Sequence, residues 1–150
     1  MQKVSDLVQL MSAPGGFEAV APLLDLVDTA ACLMDAAECI KGWNACYERF
    51  FPEHVGTLAP GLTYAENLER FFSHNAVFRS DDHLREKVQA GLVRHRGQTR
   101  PFFFQLRCGR WLKSQNVWLE DGGCIKLWTD VTEEHNARFG ERGLAEVIAH

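Results

Sequence analysis

Residues 101–134 read PFFFQLRCGRWLKSQNVWLEDGGCIKLWTDVTEE, and this stretch decides the fold. Three runs, Phe102 to Arg107, Trp111 to Leu119 and Cys124 to Thr129, are rich in aromatic and branched residues and lack a helical stripe. Cys108-Gly109 and Glu120-Asp121-Gly122-Gly123 punctuate them as turns. The pattern predicts three consecutive antiparallel strands, with a polar, Glu-rich helix running from Thr132 towards His150.

Upstream, Thr29 to Asp35 and Cys39 to Trp43 are short apolar runs around Asp35-Ala36-Ala37-Glu38, which reads as a β-hairpin. Asn44 is placed to cap a helix carrying Cys46, Tyr47, Phe50 and Phe51 that stops before Pro52. Pro60-Gly61 marks a turn, and a helix from Thr63 or Tyr64 sets Leu68, Phe71 and Phe72 on one face. Asp81-Asp82 opens another, with Leu84, Val88 and Leu92 as its stripe and Gly97 at its end. At the N-terminus, Val4, Leu7, Val8 and Met11 form a short amphipathic helix that Pro14-Gly15-Gly16 breaks. A second helix follows from about Phe17, with Val20, Leu23, Leu24 and Val27 on one face. Helix, two strands, several helices, three strands, helix is the order of an α+β domain with one antiparallel sheet.

That order resembles the PAS fold, a five-stranded antiparallel sheet that cradles helices on one face and carries flanking helices at its N- and C-terminal ends. Gly42-Trp43-Asn44 resembles the family's second-strand end and the Asn opening its first inner helix. Gly109-Arg110-Trp111-Leu112 and Asp121-Gly122-Gly123 resemble its late hairpins, and Thr129-Asp130-Val131-Thr132-Glu133 resembles the Asp-x-Thr element that closes it. The resemblance divides the chain into an N-terminal helix and linker (1–16), a PAS domain (17–134) and the start of a signalling helix (135–150). The extended middle helices resemble a bacterial sensory subfamily found ahead of histidine kinase or diguanylate cyclase effectors. Asp130 and Thr132 are then the relay, with the Thr132 hydroxyl expected to cap the exiting helix and Glu133 and Glu134 placing charge on its positive end.

A net charge of -4 and a single interrupted basic cluster, Arg94, His95, Arg96 and Arg100, argue against nucleic-acid binding. Cys32, Cys39, Cys46, Cys108 and Cys124 are odd in number and form no C-x-x-C pair, so reduced thiols are expected. Lys3 and Asp6 interrupt the first apolar positions, which is not a secretory pattern, and no run of about 20 apolar residues offers a membrane span. A cytoplasmic module without membrane contact is the expectation.

No G-x-G-x-x-G, G-K-[ST], H-E-x-x-H or G-x-S-x-G occurs, so no catalytic residues are assigned. Strand alternation separates Cys124, Lys126 and Trp128 from Ile125, Leu127 and Thr129. Composition alone turns the apolar pair Ile125 and Leu127 to the core, whereas the resemblance turns Trp128 to a cavity. Following the resemblance, Trp128 and Lys126 are ligand-binding candidates, Lys126 as partner of a carboxylate. Tyr47, Phe50, Phe72 and Phe104 close the apolar sides, and His95 falls near the Leu84–Val88 stripe. A small apolar or anionic metabolite is the expected ligand.

Cofactor alternatives attach to particular residues. Residues 44–50 are superficially similar to the reactive-cysteine box of flavin photosensors, but there the box sits on a later helix, and Trp128 stands where those sensors carry Gln. Cys46 is therefore expected in the core. Haem-binding relatives use an inner-helix His, a role open to His95 or His83. No second ligand type clusters with either, so neither a metal nor a tightly bound cofactor is expected. A more distant alternative is a small cone-shaped α+β acid–base enzyme, but the carboxylate clusters Asp81-Asp82, Glu120-Asp121 and Glu133-Glu134 all sit at turns or helix starts. Apolar positions on the two terminal helices, Val4, Leu7, Val8 and Met11 with Phe139, Leu144, Val147 and Ile148, point to a homodimer, and the resemblance implies a downstream effector domain.

Overall fold

Small side chains on a central strand set how the layers stack. The computed structural model describes residues 2–75 and 80–139, with the side chains of residues 2–5 and 7 outside the description. Strand β1 (Thr29–Met34) places Ala30, Ala31 and Cys32 at its middle, all buried, so helices close on it from both faces. It pairs antiparallel with β2 (Ile40–Trp43) on one side and β5 (Cys124–Asp130) on the other. Strands β4 (Trp111–Trp118) and β3 (Phe102–Gln105) complete a five-stranded antiparallel sheet of order β2-β1-β5-β4-β3. The expected α+β architecture is the one found.

The β1–β2 turn is built by Asp35, whose Oδ1 accepts from the N–H groups of Ala37 (3.0 Å) and Cys39 (2.9 Å). Glu38, next in that turn, accepts from Arg96 on both carboxylate oxygens at 2.7 and 2.9 Å, which ties the hairpin to α5 (Asp81–Gly97).

On the outer face lie α1 (Gln2–Ser12) and α2 (Gly16–Leu26). Met11, Phe17, Val20 and Ala21 pack on Ala31 and Ile125, with Leu33 and Leu127 alongside. A Cβ on Gly16 would stand 1.9 Å from the Leu10 carbonyl oxygen, so only glycine permits this approach of the two helices. The Pro14-Gly15-Gly16 break therefore does not separate the end of the first helix from the domain. Met11 is 4% exposed, spent on the domain's own sheet. The side chains of Val4 and Leu7, and residues Leu144, Val147 and Ile148, lie outside the described residues.

On the inner face, α3 (Ala45–Phe50), a 3-10 turn (Pro52–His54), α4 (Tyr64–Asn75) and α5 cover the sheet. Tyr47, Phe51, Leu68, Val88 and Leu92 form one cluster there with Ala30, Cys32, Leu112 and Trp128. Both faces of β5 are therefore covered. That overturns the inference from composition: Ile125 and Leu127 serve the outer cluster, while Lys126 and Trp128 point inward. A last helix, α6 (132–139), follows β5.

Asn44 does more than cap α3. Its Oδ1 accepts from the N–H of Tyr47 (3.0 Å) and also from that of Ala31 (2.9 Å), while its Nδ2 donates to the Thr29 carbonyl (2.8 Å). One buried amide thus joins helix to central strand. Replacing it leaves several buried backbone groups unpaired, so Asn44→Ala is expected to cost about 2–4 kcal/mol in urea unfolding. Ser80→Ala, which removes only the cap on the His83 N–H, is expected to cost about 1 kcal/mol. Equal losses from the two would contradict the bridging role.

Candidate functional site

Trp128 is flanked across the sheet by Ala30 on β1 and Ser114 on β4, two residues too small to fill the space beside an indole. The inner helices therefore close over a cavity of about 250 Å³. Lys126, Trp128 and Ser114 form its floor, Phe102 and Phe104 of β3 one side, and residues of α3, α4 and α5 the rest. The Trp128 ring packs 5.3 Å from Tyr47 and 5.1 Å from Phe51. Gly91 lets α5 lie close to α4, since a Cβ there would come within 3.0 Å of Leu68 Cδ1.

Lys126 is 5% exposed. Its Nζ donates to Asn116 Oδ1 at 2.9 Å and to His95 Nδ1 at 3.2 Å, and sits 5.7 Å from the centre of the Tyr64 ring. His95 Nδ1 faces a second donor, Asn116 Nδ2 at 3.4 Å, so this nitrogen is the acceptor and the ring proton belongs on Nε2. Burial, aided by the neighbouring Lys126 charge, pushes His95 down to about 4. Burial likewise pushes His54 down to about 4 and Lys126 down to about 8.

No anion balances this ammonium among the described residues. Among the described residues no Asp or Glu lines the cavity or makes an ion pair with Lys126. The nearby thiols stay protonated, because burial pushes Cys32 up to about 12 and Cys124 up to about 11. Burial also raises the phenols of Tyr47 and Tyr64. Arg94 adds a second cation at the cavity, its guanidinium 4.3 Å above the Phe102 ring. Three polar atoms on cavity-lining residues, Ser114 Oγ, Asn67 Nδ2 and His54 Nδ1, are buried without a hydrogen-bond partner among the described residues.

At the end of β5, Asp130 Oδ1 accepts from the Thr132 N–H (2.9 Å) and the Thr132 hydroxyl (2.5 Å). The same hydroxyl oxygen accepts from the Trp111 N–H at 2.9 Å, and Val131 N–H donates to the Trp111 carbonyl at 2.8 Å. Thr132 is thus the first residue of α6 rather than its cap. Its hydroxyl, expected on the helix's own free N–H groups, is taken by β4. His135 of α6 stacks on Trp111 with centroids 4.0 Å apart.

A family profile described as the PAS fold matches residues 24–138. The chain belongs to the PAS fold family. No curated protein matches it. PAS domains are in general sensory and signalling input modules rather than enzymes.

Among the residues expected in the pocket of this PAS domain, Trp128, Lys126, Tyr47, Phe72, Phe104 and His95 all line one cavity. Phe50 does not. It packs beneath Arg110, whose guanidinium lies 5.4 Å from its ring and donates to its carbonyl at 3.3 Å, while Phe51 takes the cavity position. Cys46 also lies outside the lining, buried in the core with its N–H donating to Asp25 Oδ1 at 2.7 Å. His95 is inside it, but its Nδ1 is committed to Lys126 and Asn116. Among the described residues, no three His, Cys, Asp or Glu side chains are grouped as a metal site, and no helix is long and apolar enough to cross a membrane. Sequence reasoning missed Phe51, His54, Asn67, Arg94 and Ser114. Only Asn67 left a trace, lying three residues after Tyr64 on the same helical face as Leu68 and Phe71.

Both cavity histidines sit well below neutrality. Their depression has a consequence for stability. Above pH 6.5 both rings are neutral in folded and unfolded chains. Between pH 6.5 and 4 the unfolded chain binds protons that the folded one refuses, so stability falls as pH drops, on the order of 2–3 kcal/mol per ring. Asp35 and Glu38, held below the usual carboxylate range by backbone hydrogen bonding and by Arg96 respectively, lose their contribution only at still lower pH. Urea midpoints measured from pH 7 to 4.5 are expected to decline, and less steeply in His95→Gln. A flat profile across that window contradicts the neutral-histidine assignment.

Proposed function

We propose that this PAS domain is the ligand-binding and dimerisation module of a cytoplasmic bacterial signalling protein. A small anionic or amphipathic metabolite occupies the cavity, and its presence is passed through Asp130-Val131-Thr132 to α6 and an effector such as a histidine kinase or diguanylate cyclase. The observation that carries this reading is the buried Lys126 ammonium, which has neutral partners only among the described residues. Burying a charge without a counter-charge is unfavourable, and a carboxylate arriving in the cavity relieves it. Trp128 connects the two ends of the proposal, since it walls the cavity and stands two residues before Asp130 on the same strand.

Dimerisation rests on the outer layer. Leu10, Leu23, Leu26 and Val27 on and just after α1 and α2, and Phe139 on α6, are exposed apolar side chains. The subfamily and the effector rest on the resemblance of the long middle helices to those of kinase- and cyclase-linked sensors.

Thermal denaturation with a panel of small carboxylates tests the ligand role. A binder at about 100 times its Kd adds roughly 2.7 kcal/mol to the folded state. That gain is expected to be largely lost in Trp128→Ala and kept in Phe17→Ala, which removes an outer-face side chain remote from the cavity. Equal gains in the two variants would refute the pocket assignment.

A further inference from the structure

We propose that the ligand is a single-ring aryl carboxylate with a second polar group on the far side of its ring, of the hydroxybenzoate kind. Its carboxylate sits on Lys126 and Ser114 and its second group on Asn67. This deepens the function proposed above and rests on it.

The acidic end of the ligand is specified by Lys126 and Ser114. An ammonium has three N–H donors, and Lys126 spends two on Asn116 and His95. The third belongs to a side chain that lines the cavity, next to a strand whose Ser114 hydroxyl is buried and unpartnered. A carboxylate accepts from both, with Arg94 as a further cation at the cavity wall.

The opposite pole is Asn67. Its Oδ1 accepts from the Tyr47 hydroxyl at 3.2 Å, which leaves Nδ2 as a free donor, and it is 5% exposed. His54, stacked on Tyr47 with centroids 5.8 Å apart, offers an unpartnered Nδ1 in the same region. Trp128 stands close to both poles. Lys126 precedes it by two residues, about 7 Å along a strand, and Tyr47 packs on its ring. In this proposal the ring of the ligand occupies the cavity space between the two polar groups.

What fills the gap is set by the walls. Phe71 meets Phe104 at 5.9 Å and Phe51 at 6.0 Å in edge-to-face pairs, and Trp128 meets Phe51 in the same way. Such a lining favours a flat ring over a flexible alkyl chain, which loses rotamer freedom on entry. The volume of about 250 Å³ lies below the usual range for drug-sized ligands, which suits a small ligand of one ring.

Isothermal titration calorimetry on the full chain at neutral pH decides it, with 4-hydroxybenzoate, benzoate, hexanoate and 4-hydroxybenzyl alcohol as probes. The expected order places 4-hydroxybenzoate about 3- to 10-fold above benzoate, hexanoate below benzoate, and no measurable binding of the alcohol. Asn67→Leu is expected to erase the preference for the hydroxyl while benzoate still binds, and Lys126→Met to abolish binding of every carboxylate. Hexanoate binding as tightly as 4-hydroxybenzoate overturns the aryl class and leaves the anion site standing. Failure of the unaltered chain to bind any carboxylate overturns both. A hydroxyl preference that survives in Asn67→Leu overturns the placement of the second pole. Circular dichroism confirms the fold of each variant, and the probe series on the unaltered chain decides the ligand class without them.

Discussion

The ammonium of Lys126, held in the middle of the sheet by a neutral imidazole and an amide, constrains everything packed around it. His95 has to stay deprotonated at Nδ1 to accept from it, so α5 has to present that ring edge to β5. Asn116 Nδ2 also donates to the His95 carbonyl at 3.2 Å, and Gln98 Nε2 donates to the Ser114 carbonyl at 3.0 Å. The C-terminal end of α5 is thereby bonded to β4 as well as packed on it, and the Arg96–Glu38 pair fixes its outer side to the β1–β2 turn. Below pH 8 the charge counts against the fold, because the unfolded lysine is ionised without penalty. The penalty fades between pH 8 and the ordinary 10.5, where the folded amine is neutral and the unfolded one is not. A side chain that weakens its own fold at physiological pH is better explained by a ligand than by packing.

The cavity and the exit helix are joined by side chains in direct contact. Trp128 packs on Phe51, and Phe51 on Phe50 at 6.4 Å. Phe50 holds Arg110 through its ring and its carbonyl, and Arg110 Nη1 lies 3.8 Å from Asp130 Oδ2. Asp130 in turn fixes both Thr132 donors. A ligand that shifts Trp128 or Phe51 therefore acts on a group that orients the first turn of α6, which gives the proposed relay a physical route. Phe50 belongs to this route rather than to the cavity wall.

Strands and helices were legible because their periods and their turn residues agree. Gly109 and Gly122 adopt the positive φ that their hairpins demand, and Asn44 and Ser80 cap where the pattern placed helix starts. The facing of β5 was not legible from composition, since a strand covered on both sides carries apolar residues on both. Phe50 and Phe51 could not be told apart either. Helical spacing stops being a guide at the last turn, where the chain leaves α3 for the 3-10 turn at Pro52 and Phe51 swings inward. Ser114 and His54 read as ordinary surface residues in a sequence, and Asn67 shows only its place on an apolar helical face. Only the assembled sheet and helices show that their polar atoms are buried on residues lining one cavity. Thr132 looked like a helix cap for a related reason: the strand that claims its hydroxyl lies twenty-one residues away.

The account turns on the state of one amine, and that state is directly measurable. Heteronuclear NMR of the chain labelled with ¹³C at lysine Cε follows the titration of Lys126, with Lys126→Met giving the assignment. The account predicts a midpoint near 8 without ligand, well below the ordinary 10.5, and a climb back towards 10.5 when a carboxylate ligand is added. An unaltered midpoint at 10.5 that no carboxylate moves would contradict it.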